Sequence, residues 1–434
     1  MNPGWLEPCE TRQPCSGTDT STTQDSRIAL RAPLISTARE LPHLGHAAIL
    51  RFHVSLPPYW RSAEMVQPEL DYLTIKGFKS IASIERLALR PINVIIGPNG
   101  SGKSNFIELF SFLHEVREAR LQDYVRRAGG SEQLLHFGSR TTSEIQIFLS
   151  FRDAANQYEL SLKPTADDSL YPADENVYFW DKMAYPRPYS EKLPSQGREA
   201  GISDPNARRI ASWVRDRLSR WRLYHMHDTS INSPMRKTAQ LHDNAFLRPD
   251  GSNLPAFLYF LREKHPDSYG LIRRTVQRVA PFFDDFLLRP DPLNEDTIRL
   301  AWKHKASDQY FGAAALSDGS LRFIALTTLF FQPETYRPSV ILVDEPELGL
   351  HPYAITLLAS LVKQASTKTQ VILSTQSSLL LDHFQPEDVL VADRVENGTR
   401  LTRLEPTPLS AWLDEYSLGQ LWEKNELGGR PAPG

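Results

Sequence analysis

Cysteine is nearly missing from this sequence, with two in 434 residues, Cys9 and Cys15. They sit close together in a polar stretch with no His pair nearby. That excludes a disulfide-stapled scaffold or a zinc site and fits a reducing, cytoplasmic setting. No run of about 18 apolar residues occurs, so no membrane span is encoded and no membrane partner is expected. A large excess of one charge is lacking too. Lys and Arg number 49 against 52 Asp and Glu, a net charge of -3, which excludes a globally basic coat for nucleic acid but leaves room for a local basic groove. What remains is an ordinary globular composition, 41% hydrophobic and 23% charged, long enough for two or three domains.

Residues 1–68 are rich in Ser, Thr and Pro. They predict a disordered extension or, because Met65 stands just before the regular part, a start-site artefact. Alternation over 73–78 and 84–89 and the apolar run 92–96 predict strands. Phe106, Leu109, Phe110, Leu113 and Val116, spaced by three and four, predict a helix from 103 to about 120. Segments 144–151 and 158–162 predict a hairpin, and the prolines and acids of 164–202 predict loops. The stripe Ile210, Trp213, Val214, Leu218 and Trp221 predicts one helix with Arg208, Arg215 and Arg222 on its other face, and two more helices follow over 253–264 and 267–279. From 316, helices alternate with strands at 339–343, 370–374 and 388–392.

The residues that carry chemistry lie at three places in this frame. Gly97, Asn99, Gly100, Ser101, Gly102, Lys103, Ser104 and Asn105 fit a phosphate loop between a buried strand and a helix, where backbone N–H groups and the helix start converge on phosphate oxygens. Lys103 is expected at the β- and γ-phosphates and Ser104 on Mg²⁺, with ATP as substrate. The apolar strand ending in Asp344 and Glu345 suits a Walker B element, Asp344 holding Mg²⁺ and Glu345 activating water. Ser317, Asp318 and Gly319 open a helix ahead of it and form an anion nest there.

Together these motifs resemble the ABC-type ATPases of the RecF, SMC and OLD group over 71–403. The resemblance rests also on Leu73-Thr-Ile-Lys-Gly-Phe-Lys-Ser80, on Asn105 after Gly-Lys-Ser, and on Asp344-Glu-Pro-Glu-Leu-Gly-Leu-His-Pro352. It implies an α/β fold, an ABC-type P-loop NTPase head with an antiparallel β lobe and an inserted helical lobe. The expected layout is an N-terminal ATPase lobe over 69–202, the inserted lobe over 203–300, a C-terminal ATPase lobe over 301–405 and a tail over 406–434. It further implies that Lys79 and Ser80 touch nucleotide, that Ser317 to Gly319 meet ATP held by a second copy, and that Glu347 and His351 belong to the segment communicating between subunits. Gln376 stands where many such ATPases carry His, and a Gln cannot hold a proton, which implies slow hydrolysis.

A nuclease domain of the OLD kind has no room here, so the resemblance points to a standalone ATPase working with a separate, nuclease-like effector protein encoded nearby. The expected function is that of an ATP-hydrolysing homodimeric sensor or scaffold in DNA repair or anti-phage defence. An ATP-binding transporter subunit and a binding-only switch are the alternatives. Leu413, Tyr416, Leu418, Leu421 and Trp422 can dock a partner or pack on the chain's own core. The arginines of 208–222, with Arg273, Arg274 and Arg278, can line a DNA groove or a solvated helix face. His225 and His227, one residue apart, point to opposite sides of a strand and predict a structural rather than metal-binding role.

Overall fold

The apolar runs at 92–96 and 370–374 become strands β3 (Ile92–Ile96) and β16 (Gln370–Ser374), buried at every residue, as strands covered on both faces must be. The computed structural model describes residues 68–396 and 398–428. Nearly all of the expected extension, with Cys9, Cys15 and Met65, therefore lies outside the described residues. β3 and β16 join β8 (Trp221–Tyr224), β15 (Val340–Asp344), β17 (Val389–Val395) and β18 (Gly398–Arg403) in one sheet, ordered β18-β17-β3-β16-β15-β8. Only the β17–β18 pair is antiparallel. Successive side chains feed two different cores, because the strand period is two: Val94 and Ile96 face one, and Ile95 faces the other with Leu342 and Ile372.

A second sheet is antiparallel throughout and forms the β lobe. It contains β1 (Leu70–Phe78), β2 (Ile81–Ala88), β4 (Ile145–Phe151), β5 (Asn156–Pro164), β6 (Leu170–Phe179) and β7 (Tyr189–Lys192), ordered β2-β1-β4-β5-β6-β7. Helix α1 (Lys103–Arg117) shares one hydrophobic core with both sheets and buries eight of its residues. Helices α2 (Leu121–Arg127), α3 (Ser131–Leu134) and α4 (Arg209–Ser219) close that side. The other core is built by α5 (Leu254–Lys264) and α6 (Pro266–Val279) of the inserted lobe with α7 (Asp318–Phe331), α8 (Pro352–Ser366), α9 (Ser378–Leu381), α10 (Pro406–Leu413) and α11 (Leu418–Glu423). Two three-stranded sheets complete the fold: β9 (Ala239–Gln240) with β11 (Pro290–Asp291) and β12 (Asn294–Ile298), and β10 (Phe283–Leu287) with β13 (Ala301–His304) and β14 (Tyr310–Gly312). Among the described residues no helix is long and apolar enough to cross a membrane.

Several local expectations change. The stretch 164–202 holds β6 and β7 rather than loops alone. Pro172 is accommodated where the β5–β6 register slips, since a bulge removes the need for its missing N–H. The stripe over 210–221 is not one helix, because α4 stops at Ser219 and Trp221 opens β8 with its ring against Phe110. Arg208, Arg215 and Arg222 therefore do not share a helix face, and Arg273 is engaged by Asp284 at 3.2 Å. The tail packs on its own chain. Leu418 and Leu421 are buried, and the Gly419 N–H donates to Asp382 at 2.6 Å.

Candidate active site

The carboxyl ends of β3, β16 and β15 lie side by side, and the chain leaves each carrying polar residues. From β3 it turns through Gly97–Gly102 into α1. Gly102 has φ +100, and a Cβ there would collide with Thr399 Oγ1, so only glycine fits both the conformation and the space. Lys103 is buried, and its Nζ donates to the carbonyls of Gly97 at 2.7 Å and Pro98 at 2.9 Å. Burial pushes this ammonium below its ordinary 10.5, while Glu345 and Asp344 oppose the shift. Ser101 Oγ is buried in the same turn without a hydrogen-bond partner. Asn99 and Ser104 are exposed, and the first N–H groups of α1 have no carbonyl above them in the helix. A buried cation, an orphaned hydroxyl and free backbone donors make an anion-shaped hollow.

The loop is braced from far away in sequence. Asn105 Nδ2 donates to Ser80 Oγ at 2.7 Å, and that hydroxyl meets Thr399 Oγ1 on β18 at 2.8 Å. Lys79 instead pairs with Glu108 of α1 at 2.5 Å, along the flank of the loop.

At the end of β15, Asp344 accepts a hydrogen bond from Ser374 Oγ, and its backbone carbonyl accepts one from His227 Nε2 at 2.7 Å. Glu345 adopts φ +40, a left-handed strain for a residue with a side chain, of the kind kept at functional sites. Gln376 Nε2 donates to Glu345 Oε1. Glu347, expected between subunits, turns inward. It is buried and accepts from Thr375 Oγ1 at 2.5 Å and from Gln376 N at 3.1 Å, with Oε2 unpartnered, and burial raises its carboxyl above 4.5. The exposed side chains of this segment are Leu348 and His351, the latter capping α8.

Ser317 caps α7, accepting from Ser320 N at 3.2 Å. Asp318 pairs with Arg236 at 2.8 Å, and a Cβ on Gly319 would collide with the Gly349 carbonyl. The partners of Ser317 to Gly319 are thus Ser320, Arg236 and Gly349, none of them in the phosphate loop. Arg322, one turn further along α7, is buried and donates to the carbonyls of Met226 and His227, both at 2.8 Å.

Sequence reasoning missed Thr399, His227, Arg236 and Arg322 as members of this region. Arg322 did leave a signal, being the only charged residue within 321–331. Thr399 left none, since nothing in a threonine nearly 300 residues downstream announces contact with a loop glycine. Hard oxygens of the Ser104 hydroxyl and the Asp344 carboxylate suit Mg²⁺. Among the described residues no three His, Cys, Asp or Glu cluster as a metal cage.

Residues 92–382, well over half of the chain, match a family model described as "AAA domain, putative AbiEii toxin, Type IV TA system". The chromosome partition protein Smc of Mycolicibacterium paratuberculosis (strain ATCC BAA-968 / K-10) is 32% identical over 113 residues, covering 21% of this chain and 9% of that protein. Its counterpart in Mycobacterium leprae (strain TN) is 34% identical over the same length and shares. The alignment thus spans only about a tenth of the length of these curated relatives. The crystal structure of an Smc head bound to the C-winged helix domain of ScpA superposes with a TM-score of 0.51 at 16% identity, covering 79% of this chain and 99% of that one, a likeness of fold.

Proposed function

The chain belongs to this AAA-domain family and is an SMC-like, ABC-type P-loop ATPase in fold, and from that premise we propose that it binds and slowly hydrolyses ATP as a homodimer. The observation that carries the reading is Lys103, a buried cation whose hydrogen-bond partners among the described residues are two loop carbonyls. A triphosphate entering the hollow gives that ammonium its anionic partner while the loop and the start of α1 supply N–H donors.

Ser104 and Asp344 would hold Mg²⁺ together with the phosphates. The ion, when bound with ATP, supplies positive charge to the β- and γ-phosphate oxygens. Glu345 accepts the proton of the attacking water, so that ATP + H₂O gives ADP + phosphate. Gln376 donates to that same carboxylate and must yield it to water, which supports slow turnover and keeps a binding-only switch as the second reading. Phosphate release measured against ATP-driven dimerisation separates the two. Ser317 to Gly319 serve the γ-phosphate of ATP held by a second copy, and Leu348 and His351 are the outward groups of the communicating segment.

The toxin–antitoxin wording of the family description and the chromosome-partition relatives are what support a role in DNA repair or anti-phage defence, and the separate effector and the DNA contact are part of the same proposal. Complementation tests the dimer. Ser317→Arg and Lys103→Ala should each be inactive alone, yet their mixture should recover partial ATPase activity, because one composite site then pairs an intact phosphate loop with an intact helix start. A mixture that stays dead while both chains fold and associate overturns the head-to-tail arrangement.

A further inference from the structure

At the opposite end of the central sheet, roughly 15 Å from the phosphate loop along strands of five residues, lies a cavity of about 500 Å³. Its floor is made where the chain enters four parallel strands: Pro91 before β3, Arg220 before β8, Ser339 before β15 and Thr369 before β16. Its walls come from unrelated segments and carry Arg152, Arg217, Arg337 and Lys368.

Charge does not balance here. The lining holds five cationic side chains and two carboxylates. Glu69 serves Arg217 at 3.0 Å and Arg152 at 3.5 Å, and Glu334 serves Lys368 at 2.9 Å. Arg220 and Arg337 have no carboxylate within 4 Å among the described residues. Helix carbonyl ends explain part of the excess. Helices α4, α7 and α8 all finish on this side, each carrying about half a negative charge, and Arg337 donates to the Gln332 carbonyl at the end of α7 at 2.9 Å. With those half-charges counted, a surplus of between one and two positive charges remains, which is the charge a phosphate monoester brings. Donors are unspent as well. Arg337 Nε and Ser339 Oγ are buried without any hydrogen-bond partner, a state that buried polar groups rarely keep without reason. Burial pushes the Arg337 guanidinium below its ordinary range, and Glu334, too far away for an ion pair, opposes the shift.

We propose that this cavity is a second anion site, distinct from the phosphate loop, which takes a terminal phosphate group through Arg220, Arg337, Lys368 and Ser339. The half-enclosed shape admits the phosphate of a free oligophosphate or of a nucleic-acid 5′ end, and it is too small for a duplex to lie across.

The test uses the full chain carrying Lys103→Ala, so that the phosphate loop is silent and the outcome does not depend on the ATPase reading. Calorimetry with inorganic tripolyphosphate should detect one site, and adding Arg220→Gln or Lys368→Gln should weaken it by about tenfold each. Lys368 is more than half exposed and Arg220 is partly exposed, so neither change empties the core and the folds survive, and ATP hydrolysis in the otherwise wild-type chain should be unchanged by either. A 5′-phosphorylated single-stranded oligonucleotide that binds while its dephosphorylated twin does not would identify a strand end as the source. Tripolyphosphate binding alone would identify a free phosphate compound. No binding in the Lys103→Ala protein, binding indifferent to Arg220→Gln and Lys368→Gln, or equal binding of unphosphorylated DNA would overturn the proposal.

Discussion

Lys103 carries its charge where water is largely excluded, and the cost shows in its depressed pKa. For a base, a folded value below the unfolded 10.5 means that the group destabilises the fold while it stays protonated. Its favourable contribution exists only above 10.5 and is lost as pH falls through the depressed value. At neutral pH, Lys103→Met should therefore leave the melting temperature of the nucleotide-free protein equal or higher. ATP at a hundredfold excess over its Kd should stabilise the wild type by about 2.7 kcal/mol and the variant not at all. A variant still raised by ATP would remove Lys103 from phosphate binding. Glu347 shows the opposite sign. Its carboxyl is raised above 4.5 by burial, so its contribution is whole below 4.5 and disappears as pH rises through the raised value. Glu347→Gln keeps an oxygen for Thr375 and Gln376, and its melting temperature should gain on the wild type as pH climbs from 4 towards neutrality. Parallel melting curves would show that the carboxyl is not desolvated.

Helix α7 is tied at its first two turns to three separate pieces of chain: Asp318 to Arg236, Gly319 against Gly349, and Arg322 to the carbonyls of Met226 and His227. His227 in turn bonds the Asp344 carbonyl. Movement of the helix start can thus reach the carboxylate end of β15 through two side chains. Gly319→Ala should force α7 away from Gly349 and lower stability by about 1–3 kcal/mol. ATP binding by the monomer should survive while ATP-driven dimerisation, read by light scattering, fails. Intact dimerisation would mean that this close approach is not part of the interface. The elements themselves were unevenly legible. β3, β15 and β16 announced themselves because strands buried on both faces read as short, nearly continuous apolar runs. α1 did so because its apolar residues recur at three and four. β6, β8 and β18 did not, since an edge strand or one interrupted by Pro172 lacks a continuous pattern, and Trp221 suits a helix stripe as well as a strand start.

On the scale of the whole molecule, the loop, the Asp344–Glu345 pair and the Ser374–Gln376 turn were legible because each is a contiguous motif whose backbone shape depends on its own residues. Their mutual placement was not, because it follows from which strands are neighbours in the sheet. Arg220, Ser339 and Lys368 gather at the other end of that sheet for the same reason, and no local pattern connects them. The wall that Thr399 gives to Gly102 and Ser80 has a further consequence for how the protein comes into being. A ribosome that has delivered Asp344 has already made the loop and the carboxylates, yet about 55 more residues, several seconds at roughly 5–20 residues per second, separate it from the threonine that braces them. The wall around Gly102 and Ser80 is therefore completed only late in synthesis, when the closing strand that carries Thr399 emerges and docks.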